Sequence, residues 1–481
     1  MRKTSLIAFA CCLTLFSCGR IEPAGTLGSE PAIYPDYAGV TVPCNIAPLN
    51  FSYLGDEPCA VLIDGMTIKA KDGLVSFPQA KWRKLMERDS ISLTIAVNRE
   101  GKWLSYAPFT IYVSKDEIDP YISYRLIPPG YQGWQTMGIY QRNLENYSRS
   151  AILTNDLTGG DCMNCHTYCN YDPSKMVFHV RAAFGGTMLI NEGAIEKLNT
   201  KTDSTISALV YPYWHPSGDF IAFSVNKTLQ AFYNHDPNRI EVYDLESDVV
   251  VYNVKTNEIA WSPLTKAEDR FETFPSFSPD GKWLYFCSAA AVSDMPKQHR
   301  EARYGLYRIA FNPEDMSFGD ELECVWDAPS EGYSLSFPRV SPDGRFLCIT
   351  RHGYGNFSIW HRDADLWMID LETGERFALG EANSSDVDSF HTWSSNGSWL
   401  VFSSRRGDGG LYTRPYFTHI GPDGRASKAF LLPEKDPRAY YKREINSFNL
   451  PAFMTGPVTF PKRAIVDEIR GSSGIDVGVA D

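Results

Sequence analysis

Four times along the chain the same fourteen-residue pattern returns, and a repeat of this kind leaves few ways to fold. The copies are Tyr211 to Ser224, Phe274 to Cys287, Phe337 to Thr350 and Phe390 to Ser403. Each holds an extended run, a tight turn closed by a glycine (Gly218, Gly281, Gly344, Gly397) and an apolar run. The glycine supplies the positive-φ turn position, and the Asp or Asn before it in three copies tolerates the same region. Each copy is therefore a β-hairpin, and hairpins that cannot bury an apolar face alone do so when set side by side around a ring. The glycines are 63, 63 and 53 residues apart, which leaves room for insertions or degenerate copies between them. Aromatic residues at 13%, with 36 Gly and 30 Pro, suit strands and turns. Hydrophobic residues at 43% exclude a disordered chain, and 46 basic against 58 acidic side chains speak against binding nucleic acid.

The cores Ser278-Pro279-Asp280-Gly281-Lys282 and Ser341-Pro342-Asp343-Gly344-Arg345 resemble the TolB-type β-propeller repeat. The resemblance covers about 175–435 and implies an all-β fold, a propeller of about five to seven blades. Partner strands are visible in Glu241 to Leu245 and Asp365 to Gly374. Ahead of the propeller, 31–115 reads as a small β-sandwich of immunoglobulin type. Ser90 to Val97 alternates polar and apolar residues, turns at Asn98 to Gly101, and returns through Trp103 and Tyr106 to Thr110–Val113; Ala60–Ile63 and Met66–Lys71 add strands. Residues 116–174, with Pro120, Pro128, Pro129 and the aromatic side chains of Tyr121, Tyr124, Tyr131, Trp134 and Tyr140, read as a packed connector. Residues 436–481 read as a tail partly packed on the propeller.

The first 17 residues read as an export signal, with Arg2 and Lys3 ahead of an apolar stretch from Leu6 to Phe16. Leu15-Phe16-Ser17-Cys18-Gly19 resembles a bacterial lipobox. That implies acyl chains, palmitate among them, on Cys18, a tether over 18–30, and attachment to the cell envelope. The outer membrane is the expected site, on its periplasmic or surface side, and several acyl chains hold a globular protein there firmly.

The pattern that points to chemistry is Cys162-Met163-Asn164-Cys165-His166. Cys-x-x-Cys-His is the attachment motif of c-type haem: two thiols bond the porphyrin and the histidine ligates the iron. The site expected from it is Cys162, Cys165 and His166 holding haem c, with His179, Met176 or Met188 as a sixth ligand to the metal. Electron transfer or redox sensing with an envelope redox partner follows as the function. Three other readings remain open: a disulfide involving Cys169, a closed zinc site of Cys162, Cys165, Cys169 and a histidine, and a dithiol exchange pair. If the cluster is a disulfide, the chain reads instead as a binding module for an envelope protein or glycan. Cys44 and Cys59 are candidates for a second disulfide, and Cys287, Cys324 and Cys348 for buried thiols. No Gly-x-Ser-x-Gly, His-Glu-x-x-His or phosphate-binding glycine loop occurs, so nothing in the motifs demands an enzyme. His215 and His391 read as structural turn residues, and Arg405, Arg406 and Arg414 as a solvated loop that could line a channel mouth.

Overall fold

The repeated hairpins become the two inner strands of successive blades. A computed structural model describes residues 21–130, 136–407 and 410–480; the signal segment and Cys18 lie outside them, as do Tyr131 and Trp134. Blade three holds Leu209–Trp214, Phe220–Phe232, Ile240–Asn253 and Glu258–Ala260, and blade four holds Arg270–Phe277, Trp283–Ala290, Gly305–Asn312 and Ser317–Trp326. Blade five runs Ser334–Val340, Phe346–His352, Asp365–Asp370 and Arg376–Ala378, and blade six Asp388–Trp393, Trp399–Ser404, Arg414–His419 and Phe430–Leu431. All pairings within these four blades are antiparallel.

The ring takes in more chain than the repeat predicted. The segment read as a connector supplies Tyr121–Ile127, Gly138–Asn143 and Arg149–Thr154, and the segment read as a tail supplies their inner partner, Ser447–Met454. These four strands form blade one, so three strands from early in the chain and one from late in it close the circle. Blade two is Met163–Tyr168, Lys175–Val180, Gly186–Asn191 and Ala194–Asn199. The ring therefore has six blades, each inner strand packing beside the next and that of blade six beside Ser447–Met454. Closure from both ends hides the strand edges nearest the axis.

Beyond the closing strand, the helix Lys462–Gly471 drops Ile465 and Ile469 into the core between blades one and two. Ile475–Asp476 and Gly478–Val479 then add parallel edge strands to blades two and three. The N-terminal region is two sheets around one core, the larger running Gly25–Thr26, Lys102–Ser105, Ser90–Arg99, Phe109–Ser114 and Thr41–Pro43. Its hairpin turns at Glu100 and Gly101, both at positive φ, as the sequence predicts. The same core continues into Trp399, Val401, Phe417 and Phe430 of blade six, so the N-terminal sheets sit against that blade.

Candidate functional site

Each inner strand carries one residue in the left-handed region: Cys165 (φ 57°), Tyr211 (49°), Phe274 (54°), Phe337 (56°), Phe390 (53°) and Leu450 (52°). Strand register slips beside each of them, so each is a β-bulge. A residue with a Cβ in this region costs about 1–3 kcal/mol, and the surrounding ring must hold it there. Four of the six are aromatic and meet across neighbouring blades, with ring centroids 4.8 Å apart for Tyr211–Phe274, 4.0 Å for Phe274–Phe337 and 4.9 Å for Phe337–Phe390. This girdle narrows the axis to a cavity of about 80 Å³ bordered by Cys165, His166, Tyr211, Phe337, Phe390 and Leu450.

The Cys-x-x-Cys-His pentapeptide thus lies on an inner strand, and Cys165 is its bulge residue. Cys165-His166-Thr167-Tyr168 occupies the positions of Phe390-His391-Thr392-Trp393 in blade six. Burial drives the His166 ring down to a pKa of about 3, with Arg125 adding to the effect, and pushes the Cys165 thiol up. Neither His166 nitrogen makes a hydrogen bond of good geometry among the described residues.

The expected partners of these side chains lie on different faces of the blade-two sheet. His166 stands edge-on to Tyr168, whose ring belongs to the core shared with blade one, as do Met163, Met176 and Met188. Cys162 packs against that same core. His179 sits on Lys175–Val180 next to Val177, which packs into the core shared with blade three; its Nδ1 lies 3.2 Å from the Thr187 hydroxyl. The sheet separates His179 from His166, and Met176 and Met188 are core side chains. Cys169 also belongs to the blade-three core, its thiol 3.9 Å from the His215 carbonyl.

This arrangement does not fit a covalently held haem. A porphyrin needs both thiols at one edge and a slot beneath the histidine, whereas Cys165 borders a cavity of about 80 Å³. A closed zinc site and a Cys162–Cys169 disulfide meet another obstacle, because Cys162 packs against the core shared with blade one and Cys169 into the core shared with blade three. All eight described cysteines are free thiols, Cys44 and Cys59 included, and no group of three or more His, Cys, Asp or Glu among the described residues is placed to hold a metal ion.

Beyond the girdle the axis opens. The far ends of all six inner strands line a funnel of about 280 Å³ on the side of the hairpin turns. Each blade contributes at least one side chain: Ala452, Thr167, Tyr213, Phe277, Arg339 and Thr392 in ring order. Five of these, all but Phe277, stand two residues after a bulge, so the repeat itself aims this position at the axis. Arg339 is the single charged side chain of the lining. Its guanidinium lies over the Tyr213 ring, 4.9 Å from the centroid, and donates from one nitrogen to the Pro338 carbonyl at 2.8 Å. Burial lowers its pKa, and no carboxylate among the described residues pairs with it. The sequence reading missed Arg339, although aligning the repeats shows it where other copies carry Tyr, Ser or Thr.

The remaining candidates resolve as structure. His215 ties two turns together, Nδ1 to the Ser217 hydroxyl at 2.8 Å and Nε2 to the Gly281 carbonyl at 3.1 Å. A Cβ on Gly281 would come 2.2 Å from that ring, so this turn needs glycine for space as well as for φ. His391 donates from Nε2 to the Cys348 carbonyl at 3.0 Å. Arg405 and Arg414 are buried and Arg406 is half-buried, and all three are engaged: Arg405 stacks on Trp360 at 3.3 Å, Arg406 pairs with Asp388 at 2.6 Å, and Arg414 donates to the Asn446 and Glu444 carbonyls. Cys287 and Cys348 are buried as expected, but Cys324 is exposed because Ser317–Trp326 is the outer strand of its blade.

No family model matches the chain. Over 252 residues it is 27% identical to an uncharacterized peptidase, YuxL, of Bacillus subtilis, across 47% of this chain and 34% of the relative. The chain thus spans about a third of the length of the curated relative it matches. Among solved structures it is similar to TolB from Acinetobacter baumannii, at 14% identity and TM-score 0.45 over 78% of this chain and 85% of the other. It is also similar to the β-propeller domain of the trilobed protease from Pyrococcus furiosus, at 12% identity and TM-score 0.34 over 72% and 95%.

Proposed function

We propose that this chain is a lipid-anchored envelope protein whose propeller binds a partner molecule in the axial funnel, as a binding module and not an electron carrier. The observation that carries this reading is the funnel: an open concavity to which every blade contributes, with an unpaired guanidinium at its wall. Such a concavity, lined by aromatic rings with polar groups converging on it, is the usual form of a ligand site. The lipobox-like run ending at Cys18 supports export and anchoring.

Two measurements test it. A photoreactive side chain placed at Thr392 should crosslink, in envelope preparations, to a species that mass spectrometry identifies, and Ala452→Trp should abolish the adduct by filling the funnel. Persistence of the adduct in Ala452→Trp overturns the reading. The intact mass of the mature protein should carry acyl chains, lost in Cys18→Ala together with membrane retention; a porphyrin-sized increment would restore the electron-carrier reading.

A further inference from the structure

The funnel has a polarity that narrows what enters it. Its lining holds no Asp, Glu or Lys among the described residues. Of its neutral polar side chains several are engaged: Asn170 donates to the Pro216 carbonyl, Ser278 to Asp280 and Thr392 to the Pro451 carbonyl. What remains is a largely aromatic wall, in which the Tyr168 hydroxyl and Trp214 Nε1 are buried without a hydrogen-bond partner among the described residues, and one guanidinium with most of its donors unused. The backbone carrying that guanidinium is held in place, because the Arg339 carbonyl accepts from Trp393 Nε1 at 3.0 Å. Arg339 of blade five reaches over Tyr213 of blade three, so its planar face is held by that ring, and it borders both the funnel and the smaller cavity at the girdle.

We infer that the funnel takes a carboxylate carried on an apolar body, entering end-on and meeting Arg339, an inference that rests on the funnel being a binding site. Entry is end-on because the aromatic girdle of Tyr211, Phe274, Phe337 and Phe390 narrows the axis behind it to a cavity of about 80 Å³. A volume of about 280 Å³ holds a terminal group of two or three residues or a short acyl chain, not a folded element. Burial weakens the bare guanidinium, so an anion that neutralises it is favoured doubly, and a carboxylate matches its fork with two parallel hydrogen bonds. A peptide C-terminus and a free fatty acid share this chemistry.

The test is calorimetric titration at neutral pH with three probes: N-acetyl-Ala-Pro-Phe with a free carboxylate, the same peptide as its amide, and decanoate. At least one carboxylate binds, the amide binds at least tenfold more weakly than its acid, and Arg339→Gln weakens the carboxylate at least tenfold. Arg339→Lys recovers part of that loss, since a point charge replaces the fork. Preference between the peptide acid and decanoate identifies the source. Binding of neither carboxylate, equal binding of acid and amide, or full binding by Arg339→Gln overturns the inference. Ala452→Trp leaves the guanidinium in place and separates the two levels. If it blocks binding while Arg339→Gln does not, the funnel stands and the charge argument falls; if neither variant matters, both fall.

Discussion

Blades two and six share a His-Thr pair followed by an aromatic residue at the same place in the ring, Cys165-His166-Thr167-Tyr168 and Phe390-His391-Thr392-Trp393. In blade six the bulge is an aromatic ring in the girdle, and the histidine after it holds a neighbouring carbonyl. In blade two the bulge is a thiol, and the histidine lacks a hydrogen bond of good geometry. One repeat position therefore serves as a staple in one blade and as plain filling in another. The resemblance of blade two to a haem motif needs Cys162 as well, which lies before the strand and packs against the core shared with blade one, away from the girdle. A short motif is legible only with the element that carries it.

The two bulge positions differ most in what truncation costs. Phe337→Ala should cost about 3–5 kcal/mol in denaturant unfolding, as for other large core aromatics. Cys165→Ala, at the equivalent position, should cost about 1 kcal/mol, because little volume is lost. Equal losses would refute the difference drawn between girdle and filling.

The turn of blade six differs from those of the other repeats as well. Where they have Pro216, Pro279 and Pro342, it has Ser395, whose N–H and hydroxyl both donate to Asp119, at 2.7 and 2.6 Å. That carboxylate lies in the link to the N-terminal sheets, and burial raises its pKa. Ser395→Pro removes both donors and should cost about 2–3 kcal/mol, whereas Pro342→Ser should be near neutral. Amide exchange in 116–119 should accelerate only in the first variant.

The two histidines respond oppositely to replacement. His391→Ala leaves the Cys348 carbonyl unpaired and should cost about 1–3 kcal/mol; His166→Leu removes a buried polar ring and should be neutral or stabilising. Both rings are held near a pKa of about 3 by burial, below the ordinary value of 6.5. The unfolded chain therefore binds more protons between these values, so stability falls as pH drops from about 6.5 towards 3. His166→Leu should flatten that fall, as read from urea midpoints at pH 7 and pH 4.5.

The smallest effect is on thiol labelling. In the native protein Cys324 should react with a maleimide first, while Cys165, Cys169, Cys287 and Cys348 stay protected until unfolding. Early reaction of Cys165 would place it in an open slot and revive the cofactor reading.

Much of the ring was legible without coordinates, because Ser-Pro-Asp-Gly turns and alternating strands are local signals. Blade one was not: its inner strand, Ser447–Met454, pairs with Tyr121–Ile127 across more than three hundred residues, and Leu450 stands where the other bulges carry aromatic residues or cysteine. Blade two was hidden by its own motif, since Cys169 and Asn170 replace the turn residues that mark the other copies. Arg405, Arg406 and Arg414 looked solvated because sequence shows charge but not the ring stack, carboxylate and carbonyls that receive it.

By itself the amino-acid order determined that hairpins repeat and that their apolar faces must be shared, since backbone turn chemistry and period-two alternation act within a few residues. Only the closed ring decided how many blades there are, on which face of a sheet each cysteine and histidine lies, and that Arg339 meets Tyr213 above the girdle. Those relations join residues far apart in the chain, and only the burial that brings them together gives them a chemistry.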